Sequence, residues 1–325
     1  MHYPTDINLL FDAVRKVIKL ISGVCSEVGL TTWRQGHYNL RTVKRSYRSL
    51  QKLKHSTSRD ADKKAKAEQR IVQAHQEYVA LAQGFADKAE TTLTEIRSTG
   101  PDLKTEAVLQ SIEGYIKHAR RQMDQITRRV VSGERIPHEE KVFSIFEPHT
   151  EWISKGKAGV PQELGVRVGI VEDQYQFILH YRVMEHETDD KVAVPMIRAT
   201  RESFPEFKMC SFDKGYHSPA NKVALAEMLN QVILPKKGKL SKTEKAAESS
   251  DEFVRMRHRH SAVESAINAL EYHGLDRCPD HGIYGFKRYV GLAVLSRNLQ
   301  RLGHIIQQKE LKRQARREKS NLRAA

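Results

Sequence analysis

Cysteine is nearly absent from this 325-residue chain: Cys25, Cys210 and Cys278 form an odd set with no Cys-x-x-Cys pair, so neither a disulfide framework nor a conventional zinc site is indicated. His273 and His281 stand close to Cys278, but no fourth ligand follows at a suitable spacing, and the three read as ordinary surface and loop residues. Long apolar runs are missing too. Nothing approaches the ~18 consecutive apolar residues of a membrane span, and no charged start with an apolar core marks a signal peptide, so an intracellular, soluble chain without a membrane partner is expected. Two nucleotide and metal motifs fail on spacing: Gly156-Lys157-Ala158-Gly159 lacks the upstream glycine of a phosphate loop, and His138-Glu139-Glu140 lacks the second histidine of a zinc protease. Negative charge is also short. Against 55 Lys and Arg stand 40 Asp and Glu, a formal net charge of +15, and a polyanionic partner is the natural inference, nucleic acid first.

What is present divides by periodicity. Residues 1–135 read as helix after helix, opened by Pro4-Thr5-Asp6, with Leu10, Val14, Val17, Ile18 and Ile21 recurring at helical period. A second helix over 32–54 places Leu40, Val43, Tyr47 and Leu50 on one stripe and Arg34, Arg41, Lys44, Arg45, Arg48 and Lys52 on its other faces, for which plain solvation and DNA contact are both adequate readings. Two heptad-like seams, Ile71 to Phe85 and Leu109 to Val130, joined by the breaker Ser98-Thr99-Gly100-Pro101-Asp102, predict an antiparallel coiled-coil-like hairpin over about 60–131.

After Gly133 the period changes to that of strands. Short strands are expected at 142–146, 166–171, 175–184, 207–212 and 232–234, with helices at about 190–202, 219–230, 251–274 and 285–308. Lys155-Gly156-Lys157-Ala158-Gly159 reads as a basic, flexible loop, and 236–250 as polar and mobile. The tail, 309–325, carries seven basic residues against two acidic ones and is expected to fray. The fold class is therefore α/β: a helical region over 1–135, then a mixed sheet with helices over 136–308.

The candidate chemistry lies in two carboxylates. Asp213 closes the apolar run Phe207-Lys208-Met209-Cys210-Ser211-Phe212, and Glu264 lies in the helical stretch Arg257-His258-Arg259-His260-Ser261-Ala262-Val263-Glu264. An Asp at a strand's carboxyl end and a Glu on a helix edge, set among Lys, Arg and His, suit Mg²⁺, which selects oxygen ligands and is completed by substrate phosphates. Two such ions about 3.5–4 Å apart can serve both sides of an in-line displacement at phosphorus. On the Glu264 helix, Met256, Val263, Ile267 and Leu270 form the apolar stripe, while Arg257, Ser261, Glu264, Asn268 and Glu271 share another side. A turn aspartate and a solvated glutamate are the plainer alternative. Lys155, Lys157, Lys214, Arg257 and His260 are the candidate phosphate contacts, with solvated positions as their alternative.

Asp213-Lys214-Gly215-Tyr216 followed by a helix resembles the second-aspartate motif of the DDE transposases of bacterial insertion sequences. Arg257-x-x-His260-Ser261-x-Val263-Glu264-Ser265 resembles the segment carrying that family's final glutamate, and Asn298-Leu299 its closing Asn-Leu signature. Lys155-Gly156-Lys157 and Glu163 to Val168 are similar to the segment before the second aspartate, and the long helical stretch resembles the ISNCY-like group. The resemblance implies a ribonuclease-H-like fold, Mg²⁺ at Asp213 and Glu264 with Mn²⁺ as a substitute, DNA partners in the form of transposon ends and target, and a homo-oligomer as the functional form. It also implies a cytoplasmic, nucleoid-associated bacterial protein that cleaves transposon ends and transfers the freed strand.

In that family a first aspartate lies on the first, central sheet strand, shortly before a stretch resembling His2-Tyr3-Pro4-Thr5-Asp6, so the expectation is an N-terminally truncated copy with exposed strand edges and steeply reduced catalysis. Asp6, Asp12 and Asp173 fall on helix starts and turns, and Glu147, before Pro148, comes nearest to a substitute. The alternatives are a non-catalytic DNA-binding remnant and a structural coiled-coil interaction protein.

Overall fold

A computed structural model describes residues 4–154, 162–275 and 277–324, with side chains throughout except at 259–264, 273 and 318–324. The chain forms two compact units, residues 1–150 and 151–325.

Unit 1 is built from α1 (Asp6–Glu27), α2 (Gly36–Lys52), α3 (Ala61–Ser98) and α4 (Leu103–Val130). Caps define their starts: the Thr5, Asp60 and Asp102 side chains accept from backbone N–H groups in the first turns of α1, α3 and α4. Gly100, at φ 69°, reverses the chain between α3 and α4 in a conformation that strains residues with a Cβ. The pair is antiparallel, with Arg97 near the end of α3 bridging to Glu106 and Glu113 near the start of α4. It is no free-standing hairpin, because α1 lies along both helices and its Leu10, Val14, Ile18 and Ile21 join Leu109, Ile112, Ile116 and Met123 in one core. Some polar groups inside that core are paired with one another, although both side-chain polar atoms of buried Gln122 are not. Trp33 Nε1 donates to Thr92 Oγ1 at 2.9 Å, and the Tyr47 hydroxyl donates to Asn8 Oδ1 at 2.9 Å.

The strand expected at 142–146 does not form. Ser144 Oγ accepts from the N–H groups of Phe146 and Glu147, bending the chain, while Ile145 is buried in the helical core and Phe146 packs edge-on to Tyr115. The apolar residues there belong to irregular chain lying on helices, which a short apolar run alone does not separate from a strand.

Unit 2 contains β1 (Glu151–Ser154), β2 (Gln162–Gly165), β3 (Arg167–Glu172), β4 (Ile178–Met184), α5 (Asp189–Ser203), β5 (Met209–Ser211), α6 (Pro219–Met228), β6 (Gln231–Ile233), α7 (Lys242–Glu248), α8 (Asp251–Leu270) and α9 (Gly282–Ala324). Its α/β character is as expected, but among the described residues the strands form three separate pairs rather than one mixed sheet: β1–β2 and β3–β4 antiparallel, β5–β6 parallel. Helix α5 spans two of them. Val192 and Met196 pack with Val171 and Met184 of the β3–β4 hairpin, while Ala193 and Ile197 pack with Phe212, Leu225 and Leu234 around β5–β6.

Two further expectations change. The segment 236–250 holds α7, opened by a capping box in which Ser241 and Glu244 satisfy each other's backbone N–H, with Lys236 bridging to Glu244 at 2.8 Å. The basic tail, expected to fray, continues α9 as helix to Ala324, in keeping with the good helix propensity of Lys and Arg. No described helix is long and apolar enough to cross a membrane.

Candidate metal and nucleic-acid site

Asp213 is positioned by the strand that precedes it. The Phe212 N–H extends the β5–β6 ladder by donating to the Ile233 carbonyl at 2.8 Å, and the Phe212 ring is buried under α5, so the next residue emerges at the carboxyl end of the strand. Asp213 keeps an extended backbone, and its carbonyl accepts from the Tyr216 N–H at 3.1 Å, opening a single 3₁₀ turn over Lys214–Tyr216. Both Asp213 and Lys214 are exposed.

The turn is held from three sides. A Cβ on Gly215 would lie 2.5 Å from Asp189 Oδ2, so glycine is what lets the first turn of α5 approach this closely. Asn221, buried on α6, donates from Nδ2 to the Asp190 carbonyl at 2.6 Å and the Tyr216 carbonyl at 2.9 Å, tying the turn to α5. Tyr216 stacks obliquely on Phe212. Burial, followed by the charges of Asp189 and Asp213, pushes its phenol up to about 12, so it remains a neutral hydroxyl. Behind Asp189 lies Arg167 of β3, 3.9 Å from that carboxylate and 3.7 Å from Glu151, with Nη2 donating to the Glu187 carbonyl at 2.7 Å.

Glu264 belongs to α8, which packs against both β5 and β6, so the elements bearing the two candidate carboxylates are neighbours. The apolar stripe of α8 differs from expectation: Ala266 and Leu270 are buried, whereas Ile267 is 40 % exposed. Arg257 is exposed and has no ion-pair partner among the described residues. The side chains of His260 and Glu264, and all of Lys155 and Lys157, lie outside the described residues.

Among the described residues no three His, Cys, Asp or Glu side chains form a group that could hold a metal ion. Asp213 is nonetheless an exposed hard oxygen donor, and Mg²⁺ is commonly held by one or two carboxylates plus substrate phosphates, so the donor chemistry of Asp213 with Glu264 fits that ion. The other acids considered lie in unit 1 or in the turn after β3. Asp6 pairs with Arg129 at 2.9 Å and Asp12 with Arg15 at 2.8 Å in unit 1, where Glu147 also lies, 3.7 Å from His149. Asp173 Oδ1 accepts from the N–H groups of Tyr175 and Phe177 and is a turn residue.

Sequence reasoning missed Asp189, Arg167 and Asn221, which surround the Asp213 turn from distant positions. It noticed Asn298 without a role. The Asn298 side chain accepts from the Ile178 N–H and donates to the Ile178 carbonyl, both at 2.9 Å, so it pairs with the outer edge of β4 as a neighbouring strand would and fixes α9 there. Gly291 allows the same close packing, since a Cβ there would lie 2.8 Å from the Tyr181 hydroxyl. Comparison of the chain with protein-family models, with curated proteins and with solved structures gave no match.

Proposed function

We propose that this protein derives from a DDE transposase, that unit 2 is a ribonuclease-H-like core, and that the chain binds DNA. The observation that carries the reading is the arrangement around α5. One helix covers an antiparallel hairpin and a parallel pair that have no strand joining them among the described residues, with Asp213 at the carboxyl end of β5 and the helix of Glu264 against β5 and β6. Asp213 and Glu264 would hold Mg²⁺ there, and Lys214 and Arg257, both exposed, would bind phosphates flanking the scissile bond. When bound, the ion supplies an activated oxygen nucleophile and charge neutralisation at phosphorus. The turn held by Gly215, Asp189 and Asn221 keeps Asp213 at the strand end.

Titration of the purified chain with Mn²⁺, followed by electron paramagnetic resonance, tests the site. Binding should weaken at least tenfold in both Asp213→Ala and Glu264→Gln; unchanged affinity in both would sink the reading.

A further inference from the structure

The basic face of α2 is set apart from every other charged surface of unit 1. From Val28 to Arg59 the chain has eight Lys and Arg and no Asp or Glu. Within it, Arg41, Lys44, Arg45, Arg48 and Lys52 follow steps of three, one, three and four residues, which at about 100° per residue gathers them within about 100° of arc. All five are exposed, whereas Val43, Tyr47 and Leu50 on the opposite side are buried in the core, and the Tyr47 hydroxyl is fixed on Asn8. The packing therefore holds the five cations outward together.

On α3 and α4 several arginines are matched locally. Arg97 meets Glu106 and Glu113, Arg120 meets Asp87 and Glu90, Arg128 meets Asp124, Glu134 and Glu140, and Arg129 meets Asp6. None of the five on α2 has an ion-pair partner among the described residues. They stand at mutual spacings of three and four, where like charges repel along a helix, so the stripe works against the helix that carries it. An ordinary solvated face would be mixed in sign, as those of α3 and α4 are.

We propose that this face of α2 docks on the phosphate backbone of duplex DNA, independently of base sequence. Arg41 to Lys52 spans about 16 Å of helix. Over that length one DNA strand presents about five phosphates, at about 3.4 Å of axis each, which matches the five cations in number. Exposed Tyr38 and His37 extend the same face by one turn with further hydrogen-bonding groups. An anionic membrane fits less well, because the apolar residues of α2 are spent inside the core and leave no face to enter a bilayer. The dock uses neither Asp213 nor Glu264, so it stands if the metal site fails.

The test uses the full chain and a fluorescent 30-base-pair duplex, with anisotropy measured between 50 and 200 mM salt. In R41Q/R45Q/R48Q the slope of log affinity against log salt should become shallower by about 2.7, three phosphates at about 0.9 each. The loss should be equal on two unrelated sequences, and the thermal midpoint should not fall. R41K/R45K/R48K, which keeps the charges, should retain the original slope. A slope change below 1 in the Gln variant, a loss confined to one sequence, or a Lys variant as weak as the Gln variant would each overturn the dock. So would Gln-variant loss of binding to phosphatidylserine vesicles with DNA binding intact.

Discussion

The two units bury apolar surface in different ways. In unit 1 one cluster runs from Leu9 on α1 to Ile126 on α4 and takes in every helix of the unit, whereas unit 2 divides its buried residues among small clusters beneath separate strand pairs. The contrast follows from where backbone hydrogen bonds go. A helix satisfies its own, so four amphipathic helices need only meet along their stripes; a strand pair leaves a row of N–H and C=O groups at each outer edge, which only another element can satisfy. In unit 2, α9 does this at one position of β4, through Asn298. The comparison predicts that unit 1 opens as one cooperative block and that unit 2 opens in pieces at lower free energy, which native-state hydrogen exchange would read directly.

The largest effect is expected in the shared core of unit 1. Ile18 is fully buried among residues of several helices, and Ile18→Ala should cost about 2–5 kcal/mol through lost transfer energy and the cavity left behind. Exchange should quicken in α1 and α4 together. If only α1 quickened, unit 1 would be no more cooperative than unit 2, and the contrast would break.

Asn298→Ala comes next, at about 1–3 kcal/mol, because it strands both backbone groups of Ile178 at a half-buried edge. Exchange should rise in β4 and not in the β5–β6 pair, which lies in a different cluster. Equal acceleration in both would mean that the strand pairs are coupled after all. Gly215→Ala should follow at about 1–3 kcal/mol, since its Cβ must displace Asp189. Its distinguishing readout is loss of Mn²⁺ affinity with Asp213 itself unchanged.

The sequence was most legible where structure is local. The stripe Leu10 to Ile21, the breaker at Gly100-Pro101 and the Asp213 strand end are set by spacing and turn chemistry within a few residues, and all three appear as expected. The capping box at Ser241 and Glu244 was equally local and was obscured by the surrounding charge. Strand pairing was not legible, because which edges meet depends on contacts far apart in sequence, and the separation of β3–β4 from β5–β6 has no local signature. The same holds for the site: Asp213 could be found, but Arg167, Asp189 and Asn221 come to it only through the packing of α5 and α6.

The smallest effect concerns pH and rests on Glu172 in the β3–β4 hairpin. Glu172 closes β3 with Oε2 buried and without a hydrogen-bond partner, and burial, more than the opposing charge of Arg297, raises its pKa above the ordinary carboxylate value. A raised folded-state pKa means that the native state holds the proton more tightly than the unfolded chain. The associated stability is thus fully present below the unfolded carboxylate value, about 4.3, and is lost as pH rises through the folded value. At pH 7 the half-buried Glu172 is therefore a standing cost to the β3–β4 hairpin. Buried histidines act in the opposite direction in both units: burial lowers His75 and His118 and also His180 of β4, so their contribution is present above about 6.5 and is lost on acidification. Glu172→Gln should leave stability unchanged near pH 4 and raise it modestly at pH 7, with slower exchange confined to β3 and β4. A gain that was the same at both pH values would show that the glutamine acts by packing or by a new hydrogen bond, and that Glu172 carries no titration penalty.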